Sequence, residues 1–211
     1  MLLQHVVQQG ECLSSIAFRF GFFPDTLWKH GENSDLRRKR KNPNALAPGD
    51  VLVIPEKELK EVAKQPEHRY RFRKKGVPAQ LNLKVLNEGE PVANQPFVLV
   101  VDGVSRSGTT DGQGGISVDI VPDARHAALT VGQGGAAIHY ELELGHLDPI
   151  DTISGVQQRL RNLGFDCPED GQLGVETIAA LRAYQADCQI KVTGQIDSAT
   201  RVQLERDHDF R

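Results

Sequence analysis

Residues 170–181, DGQLGVETIAAL, are repeated in outline by residues 193–204, TGQIDSATRVQL, at an offset of 23 positions. Each copy contains a glycine turn, then an apolar residue directed inward, then a helix with Thr and Leu four residues apart on one face. The repeat therefore predicts two similar helix–turn units that pack against each other near the end of the chain.

A further helix is predicted immediately before the repeat. Residues 154–157, SGVQ, have the pattern of a capping box, and Val156, Leu160 and Leu163 lie on one helical face. Gly164 supplies the C-terminal stop. Three such short helices are not stable in isolation, so the sequence predicts a packed three-helix module over residues 149–211.

The N-terminal part of the chain has a different order of elements. Residues 13–20 follow helical spacing up to Gly21, and a second short helix is predicted from Pro24. Short apolar runs at residues 5–7 and 51–54 predict strands before and after these helices. The sequence thus predicts a βααβ module over residues 1–56.

The middle of the chain changes to a period of two. Apolar residues alternate with polar ones in four stretches separated by glycine-containing turns, at residues 81–85, 97–101, 116–120 and 138–144. This pattern predicts a small antiparallel β-sandwich over residues 76–148, preceded by a linker and edge strand over residues 57–75. The expected fold class is multidomain α+β.

Composition limits the functions that the chain can have. A formal net charge of −3 provides no global field for nucleic acid, and we interpret the basic–aromatic stretch 68–75 as a strand. The first residues lack the apolar core of a signal peptide, and no segment is long enough to insert into a membrane. The histidines and cysteines lack metal-site spacing, so neither a metal nor a cofactor is expected. We expect no catalytic residue.

The three cysteines are too few for a disulfide scaffold. Cys167 and Cys188 fall within one small module, and both a disulfide formed after export and two free thiols stay open.

Residues 6–17, VVQQGECLSSIA, and 42–55, NPNALAPGDVLVIP, closely resemble the two ends of a LysM domain. The resemblance implies a shallow groove between two loops, in which peptidoglycan glycans containing N-acetylglucosamine are held by backbone groups and small apolar contacts. The residues that it places in this groove are Gly10, Glu11, Cys12, Leu13, Asn44, Ala45, Leu46, Ala47, Pro48 and Gly49.

The chain departs from the LysM pattern in two places. Cys12 stands where the family usually has a helix-capping Thr; we favour a small structural residue there over an acidified nucleophile. The segment 31–41 is longer than usual and contains five consecutive cations, Arg37, Arg38, Lys39, Arg40 and Lys41. A solvated loop face is the simpler interpretation. The alternative is a patch for an anionic partner, such as stem-peptide carboxylates, phosphate polymers or a protein.

Residues 156–165, VQQRLRNLGF, together with the repeat, resemble the three-helix peptidoglycan-binding domain family. The resemblance implies cell-wall binding. The candidate contacts that we assign in this module are Phe165, Asp170, Gly171, Leu173 and Tyr184.

The middle region resembles carboxypeptidase-regulatory or transthyretin-like sandwiches on residues 91–97 and 108–114. The domain order resembles small proteins encoded with bacterial type VI secretion or contractile injection systems, which implies spike or effector proteins as partners.

Three functions follow from these resemblances. The first is non-catalytic, bivalent peptidoglycan binding, and the second is a cytoplasmic adaptor, chaperone or structural role in such a machine. The third is an accessory role to a cell-wall hydrolase. We expect synthesis in the cytoplasm without a signal peptide, and action in the periplasm or at the cell wall if a secretion machine exports the chain.

Overall fold

The computed structural model describes residues 2–57, 63, 68–70, 79–87 and 89–209 of the 211-residue chain. Within them lie an N-terminal module (residues 2–57), a β-rich middle module (79–87 and 89–147) and a helical C-terminal module (148–209), each with its own hydrophobic core. The fold is α+β, as expected. No helix in these ranges is long and apolar enough to cross a membrane.

The N-terminal module is built on one antiparallel strand pair. Its elements are β1 (Leu3–Val6), α1 (Leu13–Phe20), α2 (Pro24–Trp28), a 3₁₀ turn (Gly31–Asn33), α3 (Ser34–Lys39) and β2 (Val51–Ile54). Strands β1 and β2 pair with Leu3 opposite Ile54. Helix α1 buries Leu13, Ile16 and Ala17 against the pair and ends at Gly21, whose φ of 70° is left-handed. The βααβ prediction is confirmed, with α3 added.

The added helix α3 lies in the segment that we expected to be a loop. Two residues anchor the segment to the module. Leu36 joins the hydrophobic core, and the buried Asn33 amide donates to the carbonyls of Leu27 (2.8 Å) and Val53 (2.9 Å). Asn33 Oδ1 also accepts the Val53 amide hydrogen (2.8 Å). The prediction of a loop was wrong because Asn33 and Leu36 lie among charged residues in the sequence, where no apolar pattern marks a helix.

The middle module is a two-layer sandwich. Its strands are β3 (Ala79–Lys84), β4 (Leu86–Asn87), β5 (Glu90–Pro91), β6 (Pro96–Val101), β7 (Val104–Thr109), β8 (Gly115–Ile120), β9 (His126–Val131) and β10 (Ile138–Glu143). One layer is a four-stranded sheet in the order β10-β9-β6-β7, and the β3–β8 pair forms the other. Alternating residues such as Leu99 on β6 and Ile116 on β8 fill the core between them.

Four strands of the sandwich escaped the sequence pattern: β4 and β5, which have only two residues each, and β7 and β9. All six residues of β7 are exposed, so no alternation marks this edge strand. Strand β9 does alternate, but its inward residues begin with the small Ala127. The expected edge strand over 68–75 is not seen at residues 68–70, which form no strand, and residues 71–78 lie outside the described residues. Most of the expected linker lies outside them too.

The C-terminal module contains α4 (Ile153–Asn162), α5 (Val175–Asp187) and α6 (Ser198–Leu204), followed by a π-helical stretch at Glu205–Asp209. Helix α4 begins one residue before the predicted capping box. Its N-cap is Thr152, whose Oγ1 accepts a hydrogen bond from the Gly155 amide (3.0 Å), and not Ser154.

A buried glutamine on α4 holds the first glycine turn of the repeat. The Gln157 amide nitrogen lies 2.7 Å from Asp170 Oδ1 and 2.9 Å from the Gln172 carbonyl, and its Oε1 accepts the Gly171 amide hydrogen (2.8 Å). One buried side chain thereby makes hydrogen bonds to three consecutive residues of the turn.

Gln185 on α5 repeats this arrangement at the second turn. Its nitrogen lies 3.0 Å from Thr193 Oγ1 and 3.1 Å from the Gln195 carbonyl, and its Oε1 accepts the Gly194 amide hydrogen (2.8 Å). The sequence repeat is therefore a structural repeat, with each helix holding the turn that follows it.

The two terminal modules contact each other although they are far apart in sequence. Arg40 of the N-terminal module binds both carboxylate oxygens of Asp151 at 3.0 Å. Asn42 donates to Asp209 at the end of the C-terminal module (2.9 Å). These contacts join the two modules directly, and each links residues more than 100 positions apart.

Candidate functional site

The two loops of the expected LysM groove lie side by side. The Leu13 amide donates to the Pro43 carbonyl (3.1 Å), and Ser14 Oγ donates to Asn44 Oδ1 (3.3 Å). The second loop is closed by Asp50, whose carboxylate accepts the Ala47 amide hydrogen (3.0 Å). The chain thus brings the two ends of the module to one surface.

Only part of the expected residue set faces solvent at this surface. Leu13, Ala45 and Leu46 are buried, and Leu13 and Leu46 belong to the hydrophobic core, so they support the groove and do not line it. The exposed or half-buried members form what we call the groove rim: Cys12, Asn44, Ala47, Pro48 and Gly49.

Glu11 is a buried structural carboxylate. Its oxygens lie 2.6 Å from His5 Nε2 and 2.5 Å from Arg19 Nη1, and they accept the Gln8 amide hydrogen (3.0 Å). Burial alone would raise the pKa of Glu11, but these hydrogen bonds outweigh it and hold the pKa below its ordinary value. Since its oxygens are occupied within the module, Glu11 shapes the first loop from beneath.

The Gly10 end of the groove is covered by the middle module. The Gly10 carbonyl accepts a hydrogen bond from Arg125, in the turn before β9. The backbone of Gly145 and the ring of His146 lie against the same glycine, so that a Cβ placed on Gly10 would be 3.2 Å from His146 Nε2. Gly10 is therefore covered, whereas the groove rim is accessible to solvent.

Cys12 is the N-cap of α1. Ser15 Oγ accepts the Cys12 amide hydrogen (3.0 Å) and donates to the Cys12 carbonyl (2.9 Å). Ser15 thereby satisfies backbone groups at the helix end, where the sequence suggested that a thiol would cap poorly.

Arg40 lies at the centre of a buried ion-pair network. Its side chain is 8% exposed, and its Nε lies 2.7 Å from Asp50 Oδ2. Burial would lower the pKa of Arg40, but the bonds and charges of Asp50 and Asp151 raise it, while the pKa of Asp50 is lowered below its ordinary value despite burial. Arg40 therefore belongs to the contact between modules, and a solvated loop face is the wrong description of it.

The other four cations of the run differ in their accessibility. Arg37 donates to the Trp28 and His30 carbonyls and closes the turn after α2. Arg38 and Lys39 have exposed side chains that pair with Asp35 and with Asp50 respectively. Lys41 is exposed. Arg37 therefore serves the fold, whereas the side chains of Arg38, Lys39 and Lys41 are accessible, and the sequence could not separate these two groups.

Tyr184 is a core residue and not a surface contact. It is 1% exposed, and its ring packs edge-on against Phe165 at a centroid distance of 5.4 Å. Its hydroxyl donates to Asp207 (3.0 Å), and burial raises its pKa. Phe165 is half-buried by the same packing. These two aromatics stabilise the three-helix core.

The remaining C-terminal candidates surround the first glycine turn. Asp170 is exposed but held by Gln157, whose hydrogen bond lowers the pKa of Asp170, and Gly171 is part of the same turn. Leu173 is 44% exposed, and Val175, which the sequence analysis did not single out, is 85% exposed. The sequence signal that could have identified Val175 is an apolar residue on the outer face of its helix.

Cys167 and Cys188 are free thiols in the structure, and burial raises the pKa of each. Across the part of the chain that the structure describes, no group of three or more His, Cys, Asp or Glu residues could hold a metal ion.

Comparison with protein-family models finds two matches. Residues 5–30 match the LysM domain, and residues 151–204 match a model described as "Putative peptidoglycan binding domain". The chain carries both domains. The LysM match ends at His30, immediately before the inserted segment, and the peptidoglycan-binding match covers α4 to α6. Both are binding domains and support a peptidoglycan-binding role. Neither a curated protein nor a solved structure matches the chain.

Proposed function

We propose that the protein is a non-catalytic, bivalent peptidoglycan-binding protein. The groove rim of the LysM domain binds the glycan strand, and the exposed turn around Leu173 and Val175 contributes the second contact. The observation that carries the proposal is the pair of binding-domain matches on two modules at opposite ends of the chain.

The packing of the two modules favours joint binding. The contacts Arg40–Asp151 and Asn42–Asp209 join the two terminal modules. They therefore restrict the distance between the two binding surfaces. Linking two weak sites raises overall affinity by about 10²–10⁴ when one polymer can reach both. A long, repetitive polymer such as a glycan strand suits this arrangement.

Three buried carboxylates stabilise the fold. Cell-wall glycosidases use a pair of suitably spaced carboxyl groups, and metal-dependent hydrolases need a ligand cluster. Here the buried side chains of Glu11, Asp50 and Asp209 are each held in ion pairs with arginine. Such carboxylates stabilise the fold and are not available for proton transfer to a substrate.

A pulldown on purified sacculi tests the proposal. Pro48→Glu on the groove rim and Leu173→Glu on the C-terminal module place a charge on an exposed residue of each surface, and Val121→Glu, at an exposed position of the middle module, is the matched control. We expect each rim or turn variant to bind sacculi at least about tenfold less tightly and the double variant to bind least, because avidity is multiplicative.

Two results would contradict the proposal. Unmodified protein that stays in the supernatant would exclude peptidoglycan binding, and soluble muropeptides released from the sacculi would exclude a non-catalytic role. The resemblance to proteins of contractile injection systems stays a prediction. Co-purification of a spike or effector protein with the chain from its native host would support the adaptor function.

A further inference from the structure

A cleft lies between the basic end of α3 and helix α6. Its volume is about 320 Å³, and both terminal modules line it. Lys39, Arg40 and Lys41 form part of one wall, and Ile150, Arg201 and Glu205 form part of the other. A space of this size is in the range of pockets that hold small ligands.

Most charges around the cleft already have partners. Arg40 binds Asp50 and Asp151, and Arg159 binds Asp209 at 2.8 Å. Lys39 reaches Asp50 at 2.8 Å. Positive charge that can attract a ligand must therefore come from the remaining cations of the lining.

Arg201 and Lys41 are those remaining cations. Arg201 Nε is shielded from solvent and has no hydrogen-bond acceptor among the described residues. A buried donor without an acceptor is destabilising, and a charged donor most of all, so an anion that reached Arg201 from the cleft would remove this cost. Lys41 is exposed across the cleft, and Glu205 is the one lining carboxylate outside the ion pairs within the described ranges.

The cleft and the groove rim are formed by neighbouring residues of one loop. Ala45 lines the cleft, and its neighbour Asn44 belongs to the rim. Joint binding of glycan and peptide requires that a glycan strand on the rim places its attached peptide at the cleft. The residues that follow Asn42 therefore contribute to both surfaces.

We infer that the cleft binds a carboxylate of the peptidoglycan stem peptide, with Arg201 and Lys41 as its ligand contacts. The inference rests on the proposed function and names the part of the polymer that the cleft selects. Arg201 donates from Nε and the adjacent guanidinium nitrogens, a geometry that matches a carboxylate, and Lys41 adds a mobile charge.

Calorimetric titration of the full chain tests this inference with two soluble ligands, a disaccharide–tetrapeptide and the same disaccharide without peptide. We expect Arg201→Gln to weaken binding of the peptide-bearing ligand at least about tenfold and Lys41→Gln about threefold, since one contact is shielded and the other exposed. Arg106→Gln and Lys191→Gln, at exposed positions outside the cleft, should leave its affinity unchanged. Affinity for the disaccharide should be the same in all variants.

Each alternative outcome is distinct. Equal affinity of both ligands for the unmodified chain, unaffected by the substitutions, would overturn the cleft and leave sacculus binding intact. Inorganic phosphate that displaces the peptide-bearing ligand at similar concentration would overturn the stem-peptide assignment in favour of a general oxyanion site. Arg201→Lys keeps the positive charge but lacks the guanidinium donors, so it should still weaken binding of the peptide-bearing ligand. If Arg201→Gln fails to fold, the effect of Lys41→Gln on the same affinity tests the inference.

Discussion

At the scale of the residue, burial of charged side chains is the main feature of this protein. The side chains of Glu11, Asp50, Arg159 and Asp209 are all at most 2% exposed, and each is paired with an opposite charge. Breaking such a pair is more destabilising than its net contribution suggests, because the partner is left buried and uncompensated.

Asp209 should make stability depend on acid pH. Burial alone would raise its pKa, but hydrogen bonds from His208 and Arg159 hold the pKa well below its ordinary value of 3.8. The stabilisation is fully present above the ordinary pKa and is lost gradually as pH falls from about 4 through the lowered pKa of the folded state. Asp209→Asn should therefore destabilise the chain by about 3–5 kcal/mol at pH 7 and by less at pH 3, where only part of the stabilisation has been lost. Urea unfolding at both values checks this, and the exposed Asp25→Asn should show neither effect.

Gly155 should not tolerate a methyl group. A Cβ there would overlap the Pro149 carbonyl and lie 2.7 Å from the Asp148 carbonyl, and both are backbone atoms. Gly155→Ala should destabilise the protein by about 1–3 kcal/mol in thermal unfolding, because the backbone must shift. Gly31→Ala faces open space and is the control; an equal loss in both variants would contradict the steric explanation.

At the scale of the element, short helices depend on the turns between them. Helices α4 and α6 have 10 and 7 residues, too few for stability alone. Gln157 and Gln185 each hold the turn that follows their helix, so a polar side chain inside the core takes part in packing. Sequence reasoning found the repeat through its glycines and apolar residues. It assigned Gln157 to a capping box and gave Gln185 no role, because neither glutamine belongs to an apolar pattern.

Removal of either glutamine amide should therefore have a similar effect. Gln157→Ala and Gln185→Ala should each lower the free energy of unfolding by about 2 kcal/mol, since each removes several hydrogen bonds between the core and the turn. Chemical denaturation of the full chain measures both, with the exposed Gln195→Ala as control. A loss in one variant and none in the other would show that the two turns are not equivalent.

At the scale of the whole molecule, the structure joins modules that the sequence presents as separate. The N-terminal module contacts the middle module through Gly10 and Arg125, and it contacts the C-terminal module through Arg40 and Asn42. These contacts leave the groove rim accessible, cover one end of the groove, and create the cleft lined by Arg201.

Loss of the polar contacts should release the terminal modules from each other. The double variant Asn42→Ala, Asp151→Asn removes one hydrogen-bond donor and one charge, and we expect faster independent tumbling of the two modules in ¹⁵N relaxation and a larger radius of gyration. Stability should change by less than about 1 kcal/mol, because Asp151 is 60% exposed. Asp123→Asn, at an exposed turn, is the control. Unchanged relaxation would show that other contacts hold the modules together.

The sequence by itself determined the local architecture. Helical spacing placed Leu13 and Leu160 in their cores. The alternation of apolar and polar residues around Leu99 and around Ile116 indicated the sandwich, and the repeated glycine turn identified the three-helix module. Periodicity is sufficient for these features because each depends on residues a few positions apart, which bury one face of their own element.

Only the tertiary structure decided which side chains are available to a ligand. Arg40 and Lys41 are neighbours of the same charge, yet one is buried between two carboxylates and the other is exposed. Tyr184 matches a family motif and lies in the core. The burial of a charged or aromatic residue depends on partners such as Asp151, 111 positions from Arg40, and no local pattern contains that information.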